Sequence, residues 1–309
     1  MNNKQPTIRQ LQLVQALARY QRLSLVAEKL FISQPSVSIQ LKNLSELIGL
    51  PIYYSKGRHL ELTDAGKAVL RAANQIFQSL GNLKTDIDNL QGVVTGTLSI
   101  AVVTTAQYFL PLLLAAFNKH YPHVEVKLEI GNREVIYSRL RNNSDNFYLF
   151  SQIPAGIEVI EAPFLTNELV VVAPERHELT LQNKVSLARL SHYPFILREQ
   201  GSGTREAVVN LFNQCGFELR EKMTIASSEA IKQAVAAGLG LSVLSRHSLD
   251  FGIIPGIKVL EVEQFPIINQ WRLVQRASQN QSLLAKAFEQ FMLDNGTNIL
   301  ASAIKNTAI

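Results

Sequence analysis

The chain has a single cysteine, Cys215, among 309 residues, so no disulfide can form within it. A lone cysteine of this kind is expected to be a buried or neutral residue, since a free thiol behaves mainly as a small hydrophobe. Charge is scarce as well, at 18% of residues, against 47% hydrophobic residues, which is ample for real cores. No apolar run approaches the roughly 18 residues that span a bilayer. The opening MNNKQPTIRQ has no apolar stretch of the kind a secretion signal needs. The expectation is a cytoplasmic chain with no membrane partner. Catalytic signatures are missing too: there is no HExxH, no G-x-S-x-G, no Walker loop and no G-x-G-x-x-G. His120 and His123, in HYPH, are expected on the surface at a helix end. No catalytic residue, no metal and no cofactor is therefore expected.

What is present begins with an uneven charge. Residues 1–66 carry eight Lys/Arg and four Asp/Glu, whereas the other 243 residues are nearly balanced within a total of +5. A small basic head on a near-neutral body suits a polyanionic partner for the head. Three helices fit its first 50 residues. Residues 7–20 carry Ile8, Leu11, Val14 and Leu17 on one side. SLVAEKL follows, with Ser24 as its expected N-cap. Ser33 then caps a third helix, and Pro35 falls in its first turn, where a missing N–H costs nothing. Val37, Leu41 and Leu44 form the inner face of that helix. Its outer face is Gln34, Ser36, Ser38, Ile39 and Gln40, with Lys42 one turn on. Amides suit an adenine edge, hydroxyls a base or a phosphate, and Ile39 a thymine methyl. PIYYSKGRHLELT then reads as two short strands around Lys56-Gly57-Arg58, a wing with a basic tip for phosphates. This is a winged helix-turn-helix pattern.

The string AEKLFISQPSVSIQLKNLSELIGLPIYY, followed by LTDAG, resembles the N-terminal signature of the LysR-type transcriptional regulators. TTAQYFLPLLL, REQGSGTRE, SSEAIKQAVAAGLGLSVLS and FPIINQW resemble the branch that controls carbon-fixation and carbon-uptake genes. The resemblance runs along essentially the whole chain. It implies a winged helix-turn-helix head, a linker helix that pairs two subunits, and a two-subdomain α/β effector domain like a periplasmic binding protein. It also implies promoter DNA as partner, a dimer or tetramer, contact with RNA polymerase, and a carboxylated or phosphorylated effector such as 2-oxoglutarate, ribulose bisphosphate or 2-phosphoglycolate. The chain departs from the family where Gln21-Arg22 replaces a usual Gly-Ser pair. Ser45 and Ser55 stand where Glu and Arg are usual, and Gln200 stands where the branch often has proline.

From Thr63 to Gln91 there is no proline, and Thr63 and Gly92 suit the two ends of a helix about 42 Å long. Val69, Ala73, Ile76, Leu80, Leu83, Ile87 and Leu90 recur at steps of four and three, an a/d seam better covered by a second copy than by its own chain. Gly81 is the weak point in that seam. The resulting domains are 1–62, 63–92 and 93–309. Within the last, apolar strands alternate with helices, which predicts a largely parallel sheet. Crossovers between subdomains are expected near Ala162–Thr166 and Gln264–Ile268, so subdomain I is about 93–163 with 267–309, and subdomain II is about 164–266.

Hydroxyls gather at strand-to-helix turns of this body: Thr104 and Thr105, then Ser202-Gly203-Thr204, then Ser227-Ser228, of which Ser227 is the expected ligand residue. Arg198 and Arg205 flank the second turn, and Gln152 follows a strand. Helix starts beyond strand ends are where open α/β folds take ligands, and their free N–H groups suit an anion. Each turn taken alone is also what plain helix capping looks like. Together they point to a small-anion site between subdomains. A two-lobed anion-binding metabolic protein with an accessory head is the rival reading.

Overall fold

The computed structural model describes residues 5–57, 59–89, 94–153, 156–252, 254–277 and 281–307. The chain divides into two compact units, one built on residues 1–87 and one on most of the remainder.

The first unit opens with α1 (Ile8–Tyr20), capped by a reciprocal Thr7–Gln10 box, then α2 (Leu23–Lys29) and α3 (Gln34–Ile48). Helix α2 starts one residue before the expected Ser24 cap: Arg22 holds the extended cap position without a side-chain bond, because Leu23 packs against the core. Ser33 caps α3 by accepting from the Ser36 N–H, and Pro35 sits in the first turn. Val37, Leu41 and Leu44 are fully buried against Leu13, Val14 and Val26. The wing is β1 (Tyr53–Lys56) paired antiparallel with β2 (His59–Leu62). Ser45 helps to anchor it, donating to the Leu41 carbonyl and accepting from the Ile52 N–H.

Helix α4 (Asp64–Asn89) follows, and runs through Gly81 without a break. The Thr63 hydroxyl accepts from the Gly66 N–H and donates to the Pro51 carbonyl at 2.6 Å. A Cβ on Gly66 would lie 1.9 Å from the Ile52 carbonyl oxygen, so only glycine lets α4 start this close to the wing. The expected seam divides. Val69 and Ala73 are buried in the head's own core, while Ile76, Leu80, Leu83 and Ile87 are between 39% and 56% exposed. The seam open to a second copy is therefore shorter than the heptad pattern predicts. Leu90 and Gly92 lie outside the described residues.

The second unit has two cores. Parallel β3 (Gly96–Val103), β4 (Val124–Gly131) and β5 (Phe147–Phe150) alternate with α5 (Leu110–His120) and α6 (Arg133–Arg141) in the first lobe. Strand β6 (Val159–Pro174) leads into the second lobe, which contains α7 (Leu187–Leu190), β7 (Phe195–Leu197), α8 (Gly203–Gln214), β8 (Glu221–Thr224), α9 (Ser228–Ala236), β9 (Ser242–Ser245), α10 (Arg246–Asp250) and β10 (Ile257–Val259). Strand β11 (Ile267–Arg276) returns, and α11 (Leu283–Thr307) packs on the first core. Among the described strands, β3–β4, β3–β5 and β7–β8 pair in parallel. Strand β6 runs antiparallel to β11, β9 and β10, so the largely parallel sheet expected from alternation gives way to a mixed one. The cause is that β6 and β11 are long strands of opposite direction, shared by both lobes. Leu165 and Trp271 belong to the first core and Leu169 and Ile267 to the second, which puts the crossings near residues 166–168 and 268–270, a few residues beyond the expected positions. Cys215 is exposed at the end of α8, not buried: the helix ends there and presents it to solvent. Among the described residues no helix is long and apolar enough to cross a membrane.

Gln21 ends α1 in the left-handed region, at φ 54°. A side chain there costs about 1 kcal/mol that glycine avoids. Gln21→Gly should therefore stabilise the head by roughly 0.5–1 kcal/mol, read from urea unfolding of the full chain; a loss of stability would contradict the strain.

Aromatic rings join the lobes. Phe109 of the first lobe lies 5.3 Å from Trp271 and 5.0 Å from His247 of the second, and His247 stacks on Phe251. Burial holds the His247 imidazole down at about 4, against a small opposing pull from Glu168. The unfolded chain takes up this proton near pH 6.5 and the folded chain only near 4. Stability should fall as pH drops across that window, by about 3 kcal/mol in all. His247→Phe keeps a ring in the stack and should flatten the dependence; an unchanged slope in urea titrations from pH 7 to 4 would show that another group carries it.

Candidate functional site

On the head, α3 presents what the sequence suggests. Ser33, Gln34, Pro35, Ile39 and Lys42 are exposed, and Ser36, Ser38 and Gln40 are half-buried. In the first turn of α3 the Ser36 N–H donates to the Ser33 hydroxyl and the Val37 N–H to the Ser33 carbonyl. The wing tip is less free than its composition implies. Lys56 pairs with Glu61 at 2.9 Å, and Glu61 also accepts from Tyr54 at 2.7 Å. The Glu61 bond raises the Lys56 ammonium above its ordinary range. Arg58 lies outside the described residues.

On the body, residues from both lobes close on one cleft. Thr104 and Thr105 open the 3₁₀ turn after β3, Gln152 follows β5, Arg198 follows β7, Ser202 is the N-cap of α8, and Gly203 and Thr204 are its first residues; all seven line the cleft. Arg198 is the centre of its bonding. Its side chain is 5% exposed. It donates to Thr104 Oγ1 across the cleft at 3.1 Å, to Ser228 Oγ at 3.1 Å, and side-on to the Glu199 carboxylate at 2.8 and 2.9 Å. A Cβ on Gly203 would touch Ser151 and Gln152 at ordinary contact distance, so the lobes meet here. A small polar cavity remains between them. Ser151 and Gln152 also border an open groove of about 690 Å³ along the crossing strands.

Two expected residues lie elsewhere. Ser227 is exposed and caps α9, accepting from the Ala230 N–H. Arg205 is on α8 but turns from the cleft, held bidentate by Glu221 at 2.7 and 3.1 Å and bonded to the Arg198 carbonyl. That pair supports the Arg198 backbone; it does not line the cleft. The hydroxyl that reaches Arg198 is the neighbour, Ser228. The sequence reasoning missed Arg133, which opens α6 beyond the end of β4 and lines the cleft from the first lobe. It bonds Glu206 of α8 at 2.6 Å and the Gly201 carbonyl at 3.4 Å. Its position follows the same strand-to-helix rule as the hydroxyls, but a search confined to hydroxyl turns passes over it.

A second cross-lobe contact centres on a fully buried lysine. The Lys232 ammonium bonds Glu229 at 2.7 Å and the carbonyls of Ser248 and Gly252, and sits 5.0 Å from the ring centre of Tyr108. Burial opposes ionisation of Glu229, but Lys232 and Tyr108 overcome it and hold the carboxylate below its ordinary range. Burial, then Glu229, pushes the Tyr108 phenol well above its ordinary range, so it stays protonated. Among the described residues no group of three or more His, Cys, Asp or Glu is placed to hold a metal ion.

The two units match two descriptions. Residues 8–67 match the bacterial regulatory helix-turn-helix protein, lysR family, and residues 91–297 match the LysR substrate binding domain. The chain is 42% identical over 290 residues to the HTH-type transcriptional activator CmpR of Synechocystis sp., covering 94% of this chain and 95% of that protein. It is 38% identical over 294 residues to a RuBisCO operon transcriptional regulator of Allochromatium vinosum, covering 95% and 97%. Among solved structures it is similar to the Synechocystis PCC6803 CcmR regulatory domain in complex with 2-PG. That match has 39% identity and a TM-score of 0.61, and covers 64% of this chain and 95% of that one.

Proposed function

Because the chain belongs to the LysR family of bacterial transcriptional regulators, we propose that it controls carbon-fixation or inorganic-carbon-uptake genes in response to a small anion held between its lobes. It works on promoter DNA in the cytoplasm and carries out no catalytic step. Relatives of nearly equal length that regulate the RuBisCO operon support the gene class. The observation that carries the effector is the cleft itself, where two arginines of opposite lobes, Arg133 and Arg198, stand among hydroxyls and a helix start. That arrangement suits a ligand with two anionic ends, such as 2-phosphoglycolate, ribulose bisphosphate or 2-oxoglutarate, and the solved relative with bound 2-PG supports it. An effector touching both lobes favours one closure angle, and so changes how the oligomer meets DNA. Domains of 1–62, 63–92 and 93–309 fit this scheme, with the start of α4 serving the core of the head.

Gln34, Ser36 and Ser38 read base edges in the major groove, with Ile39 and Gln40 beside them. Ser33, Lys42, Lys56 and Arg58 hold phosphates, which requires Lys56 to leave Glu61. The apolar strip Ile76, Leu80, Leu83 and Ile87 is covered by α4 of a second copy, and two such pairs form a tetramer that contacts RNA polymerase.

Gln34→Ala should cost about 1–3 kcal/mol on the specific promoter and relax sequence preference. Lys56→Ala should weaken all duplexes alike and lower the salt dependence. Titrations of promoter and random duplex at several salt concentrations decide this; equal losses on both duplexes for Gln34→Ala would exclude base reading. Thr104→Val keeps the shape but removes the hydroxyl, and should weaken 2-phosphoglycolate roughly ten- to a hundredfold in calorimetry while leaving effector-free DNA binding intact. Equal affinity in both proteins would place the effector elsewhere.

A further inference from the structure

The cleft is already occupied by anions of its own. Glu199 grips Arg198 side-on, with Nε and Nη2 each donating to one carboxylate oxygen. This is the fork geometry in which a guanidinium takes a carboxylate or phosphate. Glu206 holds Arg133 at 2.6 Å. Two cations meet two carboxylates, so the charge of these four groups balances without a ligand. An anion added to this arrangement would bring uncompensated negative charge into a site whose cations are spent.

We propose that Glu199 and Glu206 are built-in counter-anions, and that the effector binds by exchange, one anionic end replacing each carboxylate. The inference rests on the reading of the cleft as the effector site. Exchange suits the surroundings of both groups. The Glu206 side chain is 42% exposed and that of Glu199 21%, so each can turn to water when displaced. Glu206 lies in the first turn of α8, where the helix dipole favours any negative group, its own or a ligand's.

The two exchanges differ in consequence. Arg198 and Glu199 are adjacent on the second lobe, so replacing Glu199 alters affinity alone. Arg133 and Glu206 belong to opposite lobes, so replacing Glu206 removes a bond that ties the lobes and puts the ligand in its place. A ligand with one anionic end completes only one exchange. Selection for two-ended anions follows from the counter-anions and not from cleft shape. Tethered carboxylates compete at high effective concentration, which sets the response threshold well above what two arginines alone would give.

The test is calorimetry of the full chain with 2-phosphoglycolate and with inorganic phosphate, for wild type, Glu199→Gln, Glu206→Gln and the double variant. Glutamine keeps the size and removes the charge. Each single variant should bind 2-phosphoglycolate about tenfold more tightly, and the double variant more tightly still, given the strength of charge-assisted pairs. Phosphate, with one end, should gain in either single variant with little further gain in the double. Thermal unfolding checks that each variant is folded; Glu206→Gln lies on the open side of α8 and serves if Glu199→Gln is unstable. Binding that is unchanged or weaker in the variants, with wild type still binding 2-phosphoglycolate, would mean that the glutamates only position the arginines, and would overturn the exchange alone. No binding of either anion by any of the four proteins would overturn both the exchange and the effector site.

Discussion

The antiparallel pairing of β6 with β11 is the constraint on which the body depends. The ladder runs from Ile267 opposite Leu169 to Arg276 opposite Val159. Each strand gives side chains to one core and then to the other. Leu165 and Trp271 serve the first, and Leu169 and Ile267 the second. Between them Asn167 faces Asn269, and the Asn167 amide oxygen accepts from Ser245 at 2.7 Å. This short polar stretch between apolar ones lets two cores form on one ladder. It also means that the cleft has a continuous floor, lined by Asn167 and Trp271. Any movement of one lobe against the other must then pass through twist or bend of these two strands.

A buried guanidinium on such a floor needs compensation at all times. Arg198 is held by four acceptors supplied by Thr104, Ser228 and Glu199. Removing charge compensation from a buried cation costs several kcal/mol, so any arrangement that leaves Arg198 bare is disfavoured. The chain meets that need within itself when empty, and the same donors are then offered to a ligand of like geometry. Lys232 meets the same need differently. Its partners are a carboxylate, two backbone carbonyls and an aromatic face. Arg198 lines the cleft and Lys232 does not, which is why the cleft and not the Lys232 cluster carries the effector reading.

Much of the head was legible because its signals are local. A serine cap three residues before the Ser36 N–H, a proline in a first turn and apolar spacing along α3 each act within one helical turn. The family departure at Gln21 was visible in sequence, but its strain was not, since φ depends on how α1 meets the wing. The seam on α4 was read at the right spacing and partly given the wrong partner: Val69 and Ala73 fit a heptad, yet three-dimensional closeness to Ile52 and Leu44 puts them in the head's core. In the body, turn chemistry brought out Thr104, Thr105, Ser202 and Thr204. It also brought out Ser227 and Arg205, whose hydroxyl and guanidinium are taken by a cap and by Glu221. Arg133 and Glu206 were illegible because their pairing spans 73 positions, and no periodicity or local motif records a contact of that range.

Linkage sets what such a cleft can do to a promoter. A ligand shifts a two-state protein only by its difference in affinity for the two states, and moving a population from mostly one state to mostly the other takes about 5.5 kcal/mol of that difference. Contacts within one lobe are the same at every closure angle and contribute nothing to it. The bonds that count are those that bridge: Arg198 to Thr104, and Arg133 to Glu206 and to the Gly201 carbonyl. These already bridge the lobes without ligand, so an effector that merely replaced them bond for bond would bind without switching. Switching requires that the bridging bonds made by the ligand differ in strength or reach from those it removes. An anion seated between Arg133 and Arg198, as proposed, would differ, because it would join two cations directly where the empty cleft joins each to a separate carboxylate. On that proposal the signal lies in the change from two independent ion pairs to one shared anion, and its size follows from how far that sharing draws Arg133 toward the second lobe.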